Sequence, residues 1–561
     1  METKILTPAT VNDIDFHVRT YRTALKSNLE VTINSLVNSH LKMESILHPL
    51  GSNSKKVDLS ALIYSLLRLP HQTDQALKII VGQNLDIFTQ SGYTNVDQWP
   101  ETKAFSRRRS CFYQSSKHIL ACFTASISDI DDLVNLLIAF QTEWNKFHLI
   151  LKSKYKNPLD FQNSLKTNKL SQELDISEND WNRLITAFGP QYKLRLKRVF
   201  QQSLNLRIQL LAASWVNYTK TTQKWWKHIA IHVSDHFHIS RQQIYFVSSN
   251  THSLMNLFTG FALKNQNKIL SLIKTDRPDL YAVWEQIQSK ESLLQSNDFL
   301  YFVFKFYSDN LLKTEFLEYQ QKLGIISIPN SHFLDVDVQI FPVKNLIHSA
   351  DSRLKISKPK TLVKSEALIF NVDYPLGFSA YHVLTEILEN VQKVKGVYIL
   401  SKAAVLNSQI GDIQAPRLVF DEHTQNSYIF KNCFNSFFPF VNNQGSILTN
   451  QKAVSVLGTF LENEALLKNY FENNITIIEM ESGPYLNAIT EASYDQQTPK
   501  NTIIDLNNTP FDLGIINYTS DTPYSQAQNL GSGSLSLNGI EPVNLGSLAI
   551  LQRIINLEES I

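Results

Sequence analysis

From about residue 364 onward, short apolar runs of strand type alternate with segments of helical period, and this alternation limits the fold more than any other feature. Ala367–Val372 reads as a buried strand and Ser379–Leu388 as a helix. Gly396–Leu400 is a second strand, followed by a small-residue turn and Ile410-Gly411-Asp412-Ile413. Ile475–Ile478 is a third, running into Glu479-Met480-Glu481-Ser482 and a helix, and Phe511–Tyr518 is a fourth, ending in Thr519-Ser520-Asp521. Strands alternating with helices imply a mixed or parallel sheet with helices on both faces. Ligands bind such sheets beyond the carboxyl ends of the strands. Glu479, Glu481 and Asp521 all fall at that edge.

The preceding residues obey a different grammar. Only six of the 17 glycines lie before residue 331, which suits long helices. Residues 1–330 carry 38 Lys+Arg against 28 Asp+Glu, a net charge of +10, whereas 331–561 carry 15 against 23, a net of −8. The expectation is an α + α/β chain: a mostly helical domain over 1–330, a linker or lead-in strand over 331–363, and an α/β domain over 364–561.

Composition removes whole classes. With 43% hydrophobic and 19% charged residues the chain is neither disordered nor fibrous. Its longest apolar runs, such as Leu136–Phe140, fall far short of the roughly 20 residues of a membrane span. The polar, acid-bearing start METKILTPATVNDIDFH does not read as a signal peptide. Cys111, Cys122 and Cys433 are too few for a disulfide framework and form no CxxC metal pattern. A cytoplasmic protein with no metal and no cofactor is expected.

In the first part, Ile14, Val18, Tyr21, Leu25, Leu29 and Ile33 recur at helical spacing over five turns. Leu133, Leu136, Phe140, Trp144, Phe147 and Leu151 form the apolar stripe of a second long helix, with Ser128 or Asp129 as its N-cap. Four further features admit a functional and a structural reading. Arg107-Arg108-Arg109 is a compact cationic run, able to hold phosphate or simply to be solvated. His228, His232 and His236 share one helical face that a metal could use, although three turns is a long reach beside the packing residues Trp225-Trp226. Gln243–Leu254 reads as strand, polar loop and helix start, an anion-binding geometry or plain capping by Ser249 or Asn250. Leu170–Leu184 has the outline of a helix-turn-helix, but Glu178 and Asp180 beside a single Arg183 make a poor face for DNA. Nucleic acid is not expected as a partner.

Four ordered segments after residue 364 resemble the nucleoside phosphorylase and nucleosidase superfamily. Strand-Glu479-Met480-Glu481-Ser482-helix, followed by strand-Thr519-Ser520-Asp521, looks like two of its motifs. Val397–Ile413, with its Ile-Gly-Asp-Ile stretch, and Val454–Leu461 are similar to two more. The resemblance covers about 364–555 and implies a three-layer α/β domain with a mixed central sheet that cleaves the bond between ribose and a purine. It implies that Glu481 grips ribose hydroxyls, with Met480 against the sugar face and Glu479 beside them. It implies that Asp521 shares or donates a proton to a ring nitrogen and that Ser520 orients it. The structural alternative for Glu481 and Asp521 is a pair of acids at helix starts.

Departures from the family pattern bear on the same reading. Ser401-Lys402-Ala403-Ala404 stands where the family has glycines, crowding the space of phosphate or base. Lys402 offers a point charge for phosphate, and Gly377 a close approach, in place of a bidentate arginine. After residue 330 there are only Arg353, Arg417 and Arg553. The acid that activates water in the hydrolases has only Asp373 as a substitute. The cluster Phe434, Phe437, Phe438 and Phe440 walls a base pocket, through Phe438 above all, or buries a subunit interface. Three functions remain open: a purine nucleoside or nucleotide N-ribosidase or phosphorylase, a sensor of the same fold without turnover, or an assembly protein docking an acidic partner. A homo-oligomer is expected, with phosphate as a further ligand.

Overall fold

The computed structural model describes residues 11–27, 30–167, 169–212, 215–292, 294–331, 333–436, 438–440, 445–494, 499–523 and 540–560. They fall into two units, the first drawn from 1–221, 332–335 and 457–473 and the second from 222–331, 336–456 and 474–561. One piece of the second unit ends at 331, and residues 332–335 belong to the first.

The first unit holds helices α1 (Val11–Lys26) and α2 (Ile127–Lys154) and strands β1 (Val31–Thr32), β2 (Lys78–Gly82), β3 (Glu101–Thr102), β4 (Cys111–Gln114), β5 (Ile119–Phe123) and β6 (Arg207–Leu210). The strands form one mixed sheet in the order β1-β6-β2-β5-β4-β3. Runs of two to five residues are too short to show a period, so this sheet escapes a search by spacing. The expected five-turn helix ends at Lys26 because β-branched Val31-Thr32 pairs with β6, Val31 opposite Ile208. Leu29 lies outside the described residues. The cap of α2 is Ser126, not Ser128: the Asp129 carboxylate accepts from the backbone N–H of Ala125 at 2.8 Å and Ser126 at 3.2 Å, closing a capping box. The stripe Leu133, Leu136, Phe140, Trp144, Phe147 and Leu151 is fully buried.

The arginine run is neither a solvated patch nor an open anion site. Arg107 gives two bonds to Asp132, at 2.8 and 3.1 Å, and Arg109 reaches both Asp129 and Asp132 at 3.1 Å. Arg108 stands 3.8 Å from Asp335. The acids at the start of α2 engage Arg107 and Arg109, while Arg108 faces Asp335. His228 and His232 lie on helix Trp215–Val233 with ring centroids 5.7 Å apart, but His236 falls past its end. Among the described residues no group of three His, Cys, Asp or Glu is arranged to hold a metal ion. The two short helices expected over 170–184 are present at Leu170–Glu173 and Glu178–Phe188, and Arg183 is paired with Asp180 at 3.1 Å.

The second unit is built on β7 (Gln243–Ser249), β8 (Ile326–Ile328), β9 (Val338–Pro342), β10 (Leu368–Asp373), β11 (Lys393–Val405), β12 (Ile413–Asp421), β13 (Asn426–Ile429), β14 (Ile447–Ser455), β15 (Ile477–Glu479), β16 (Ile503–Asp505) and β17 (Asp512–Asp521). Its helices include α3 (Ser379–Asn390), α4 (Ser482–Tyr494) and α5 (Ile540–Glu559). Four strands run parallel in the order β10-β7-β11-β17, with Phe246 of β7 between Phe370 and Val397. Buried on both faces, β7 is an unbroken apolar run, Ile244 to Val247, as a central parallel strand must be. β9 pairs antiparallel with β10, and β8 with β9. On the other side β11, β15, β14, β12 and β17 pair in a closed ring, because both β11 and β12 take β17 as a second neighbour. The result is an α+β chain with mixed sheets.

Ser401-Lys402-Ala403-Ala404 is strand, not turn: β11 runs on to Val405, held by β17 on one edge and β15 on the other. α3 packs on α4, while α5 packs on β11, β17 and helix Ser253–Thr259. No helix among the described residues is long and apolar enough to cross a membrane.

Candidate functional site

The carboxyl ends of β7, β10 and β17, with the start of α4, form one polar edge. Its best-defined member is Glu479. One carboxylate oxygen accepts from the backbone N–H groups of Glu481 at 2.8 Å and Ser482 at 2.7 Å, and the other takes the Ser455 hydroxyl. The Ser455 oxygen in turn accepts from Gly483 N–H at 2.6 Å. Burial pushes the Glu479 pKa up, and these donors oppose it. Glu479 is thus the anchor of the α4 N-terminus, with its oxygens committed to that task. Met480, next to it, is buried.

Glu481, Asp373 and Asp521 come from three different elements, and all three charges act on one phenol, that of Tyr518 on β17. Burial and these carboxylates push its pKa up to about 12, so it stays a neutral hydrogen-bond donor, and it bonds to the phenol of Tyr374. The Ser520 hydroxyl lies 2.8 Å from the Asp521 carboxylate and 3.1 Å from the Ala403 carbonyl. The Lys402 ammonium stands 3.9 Å from Asp521. Asp373 also accepts from the Tyr374 N–H at 3.0 Å.

One base, Lys305, is coupled to these acids, and a second, His252, to Lys305. The charge of Asp373 acts on Lys305, whose pKa is lowered by what burial it has. Lys305 and His252 line a small cleft with Ser253 and Asn544. Burial, with Lys305 nearby, takes the His252 imidazole down to about 3. The polar loop after β7 serves the structure: Asn250 accepts from His252 N–H at 3.0 Å and Ser253 N–H at 2.6 Å, Ser249 donates to Asn371 at 2.8 Å, and Ser248 meets the Tyr485 phenol at 2.9 Å.

Other expected residues are placed elsewhere or do other work. Gly377 adopts φ +52° in the turn before α3, and its carbonyl accepts from Ala380 N–H at 3.0 Å. Phe438 packs beside Phe434, ring centroids 6.3 Å apart, and the Phe434 ring covers Gly514. Seven strand residues, about 23 Å, separate Gly514 from Asp521, so Phe438 is not beside Ser520 and Asp521. Phe437 lies outside the described residues. Asp412 of the Ile-Gly-Asp-Ile stretch accepts from Gln409 N–H at 2.9 Å and Ser446 N–H at 2.6 Å, a loop anchor. Of the late arginines, Arg353 is held by Asp298 and Asp351 and Arg553 by Asp512. Tyr374, Tyr518, Lys305 and His252 were not among the residues expected from sequence. Tyr518 lies inside the fourth strand run, and His252 inside the polar loop, whereas Lys305 belongs to no motif.

The sequence matches the family of unknown function DUF6909 over residues 33–556, and the chain belongs to that family. No curated protein matches it. Among solved structures, part of the chain is similar to an S-adenosylhomocysteine nucleosidase from Streptococcus pyogenes in complex with 5-methylthiotubericidin, at 9% identity and a TM-score of 0.29, over 56% of this chain and 98% of that one. A uridine phosphorylase from Schistosoma mansoni in complex with thymidine gives 11% and 0.29, over 57% and 88%. A 5′-methylthioadenosine/S-adenosylhomocysteine nucleosidase from Colwellia psychrerythraea 34H in complex with adenine gives 11% and 0.26, over 43% and 89%.

Proposed function

We propose that this family member binds a purine nucleoside or nucleotide at the carboxyl edge of the second unit and cleaves its N-ribosyl bond. The observation that carries the reading is the gathering of Glu481, Asp373 and Asp521 around the Tyr518 phenol, with Lys402 at 3.9 Å from Asp521. Glu481 accepts from ribose hydroxyls and favours the positive charge that develops on the sugar. The bond from C1′ to the base nitrogen breaks and its electron pair stays on the base. Asp521, oriented by Ser520, takes up a proton from solvent and passes it to the base, which leaves neutral. Water adds to C1′ and gives up its proton to Asp373. Lys402 and Lys305, not arginine, are the cations available for a 5′-phosphate or attacking phosphate.

The test is release of free base, read by HPLC, from adenosine, inosine, guanosine, methylthioadenosine and their 5′-phosphates, with and without phosphate. Glu481→Gln and Asp521→Asn are each expected to lower turnover by roughly 10²- to 10⁴-fold. A second reading, binding without turnover, is favoured by the bonded phenols of Tyr374 and Tyr518, on which the charges of these acids act. A ligand-dependent rise in melting temperature without free base selects it. Neither product nor shift with any of these compounds sinks both readings.

A further inference from the structure

We infer that a cavity at the amino-terminal end of β17 is a second ligand site, for a small anion carrying an aromatic body. It holds about 440 Å³, within the range of small-molecule sites, and lies at the opposite end of β17 from Asp521. Its lining includes Lys431, Cys433, Phe434, Phe511, Asp512 and Arg553. Two of the lining side chains are seated on the strand itself: a Cβ at Gly514 would stand 2.3 Å from the Phe434 ring and 2.7 Å from the Cys433 sulfur, so only glycine lets these two side chains sit on β17.

Charge decides the class of ligand. Asp512 already accepts from Arg553 Nε at 2.9 Å, Arg553 Nη2 at 2.7 Å and the Tyr398 phenol at 2.8 Å, so its charge is engaged. Arg553 Nη1 makes no hydrogen bond among the described residues. Lys431, exposed at the rim, makes no ion pair among them either. Two cations therefore face one satisfied carboxylate, and the surplus suits a carboxylate or a phosphate. The rings of Phe434 and Phe511 offer the rest of the ligand an aromatic wall. This inference does not depend on the proposed cleavage reaction.

The experiment uses phenyl phosphate as probe, with phenol, inorganic phosphate and benzoate as separate arms, on the full chain. Cys433 serves as a local reporter, because Cys111 and Cys122 are fully buried. Burial pushes the Cys433 thiol up, so alkylation is followed by mass spectrometry at alkaline pH. Phenyl phosphate should slow alkylation of Cys433 with a Kd on the order of 1 mM, as its size allows. Phenol and inorganic phosphate alone should protect at least tenfold less well. Benzoate protecting better than phenyl phosphate identifies the anion as a carboxylate, and the reverse order as a phosphate. Lys431→Glu, an exposed change, should weaken protection about tenfold, and saturation-transfer NMR of phenyl phosphate should weaken in step. The site is overturned if the probe neither protects Cys433 nor shows saturation transfer at 10 mM, or if Lys431→Glu leaves both unchanged. Protection is read at Cys433 itself, so binding at the carboxyl edge does not imitate it.

Discussion

Three histidines of the first unit form a continuous buried relay. His17 Nδ1 lies 2.8 Å from the Ser39 hydroxyl and its Nε2 3.0 Å from the Asn135 side-chain carbonyl, which also stands 3.1 Å from His40 Nδ1. His40 Nε2 meets His48 Nδ1 at 3.1 Å, and His48 Nε2 meets Glu143 at 2.6 Å, where Lys146 also pairs. Burial takes the His17 imidazole down to about 4, against Asn135 and Asp131, and takes His40 well below its ordinary value. The unfolded chain takes up the His17 proton near 6.5 and the folded chain only near 4. Between those values the unfolded state binds more protons, so stability is fully present above pH 6.5 and falls as pH drops toward 4. His17 alone contributes about 3 kcal/mol to that loss. Urea midpoints measured from pH 7.5 to 4.5 should be level above 6.5 and decline below it, less steeply in His17→Gln. A level profile down to 4.5 refutes the assignment. None of this was legible in sequence, because His17, His40 and Asn135 are brought together across 95 to 118 residues. Glu481 and Asp521 were legible, because each sits where a strand run gives way to polar residues. Tyr518 was hidden, since inside a strand a tyrosine reads as packing.

Between the residue and the whole, the start of α2 shows how elements redistribute charge. Arg109 is almost wholly buried, and Asp132 answers both it and Arg107. The two guanidiniums hold the Asp132 carboxyl well below the usual range, against the opposing effect of burial. Asp132→Ala leaves buried cations underpaired and should cost about 3–5 kcal/mol. Arg108→Ala, whose partner Asp335 is 3.8 Å away and partly exposed, should cost less than about 1 kcal/mol. Equal urea midpoints for the two variants would show that the arginines do not depend on these acids. The run Arg107–Arg109 and the acids from Asp129 to Asp132 are both plain in sequence, but their pairing is made by folding across β4 and β5. The same limit explains β11. Ser401-Lys402-Ala403-Ala404 looks like a turn locally, and becomes strand because β15 and β17 supply partners that lie more than 70 residues on.

At the scale of the whole molecule, the chain contributes to each unit in several pieces. The alternation after residue 364 was legible as a mixed or parallel sheet, yet its parallel strands are incomplete without β7, which lies about 120 residues upstream and was read as a polar loop's lead-in strand. A fragment of 364–561 therefore lacks β7 and β9, the two neighbours of β10, and leaves Ile369 and Phe370 of that strand without cover. It also carries residues 457–473, whose partners are in the first unit: Asn463 donates to the Met43 carbonyl at 3.2 Å, and the Phe460 ring packs on His40 and Tyr64 at 5.9 and 5.4 Å. Unpaired strand edges and exposed apolar surface favour aggregation over folding. The fragment should give no cooperative urea transition and should associate on size exclusion, whereas the full chain unfolds cooperatively. A monomeric fragment with a cooperative transition would mean that the ring of β11, β15, β14, β12 and β17 folds without β7. That outcome would move the boundary of the second unit back toward 364.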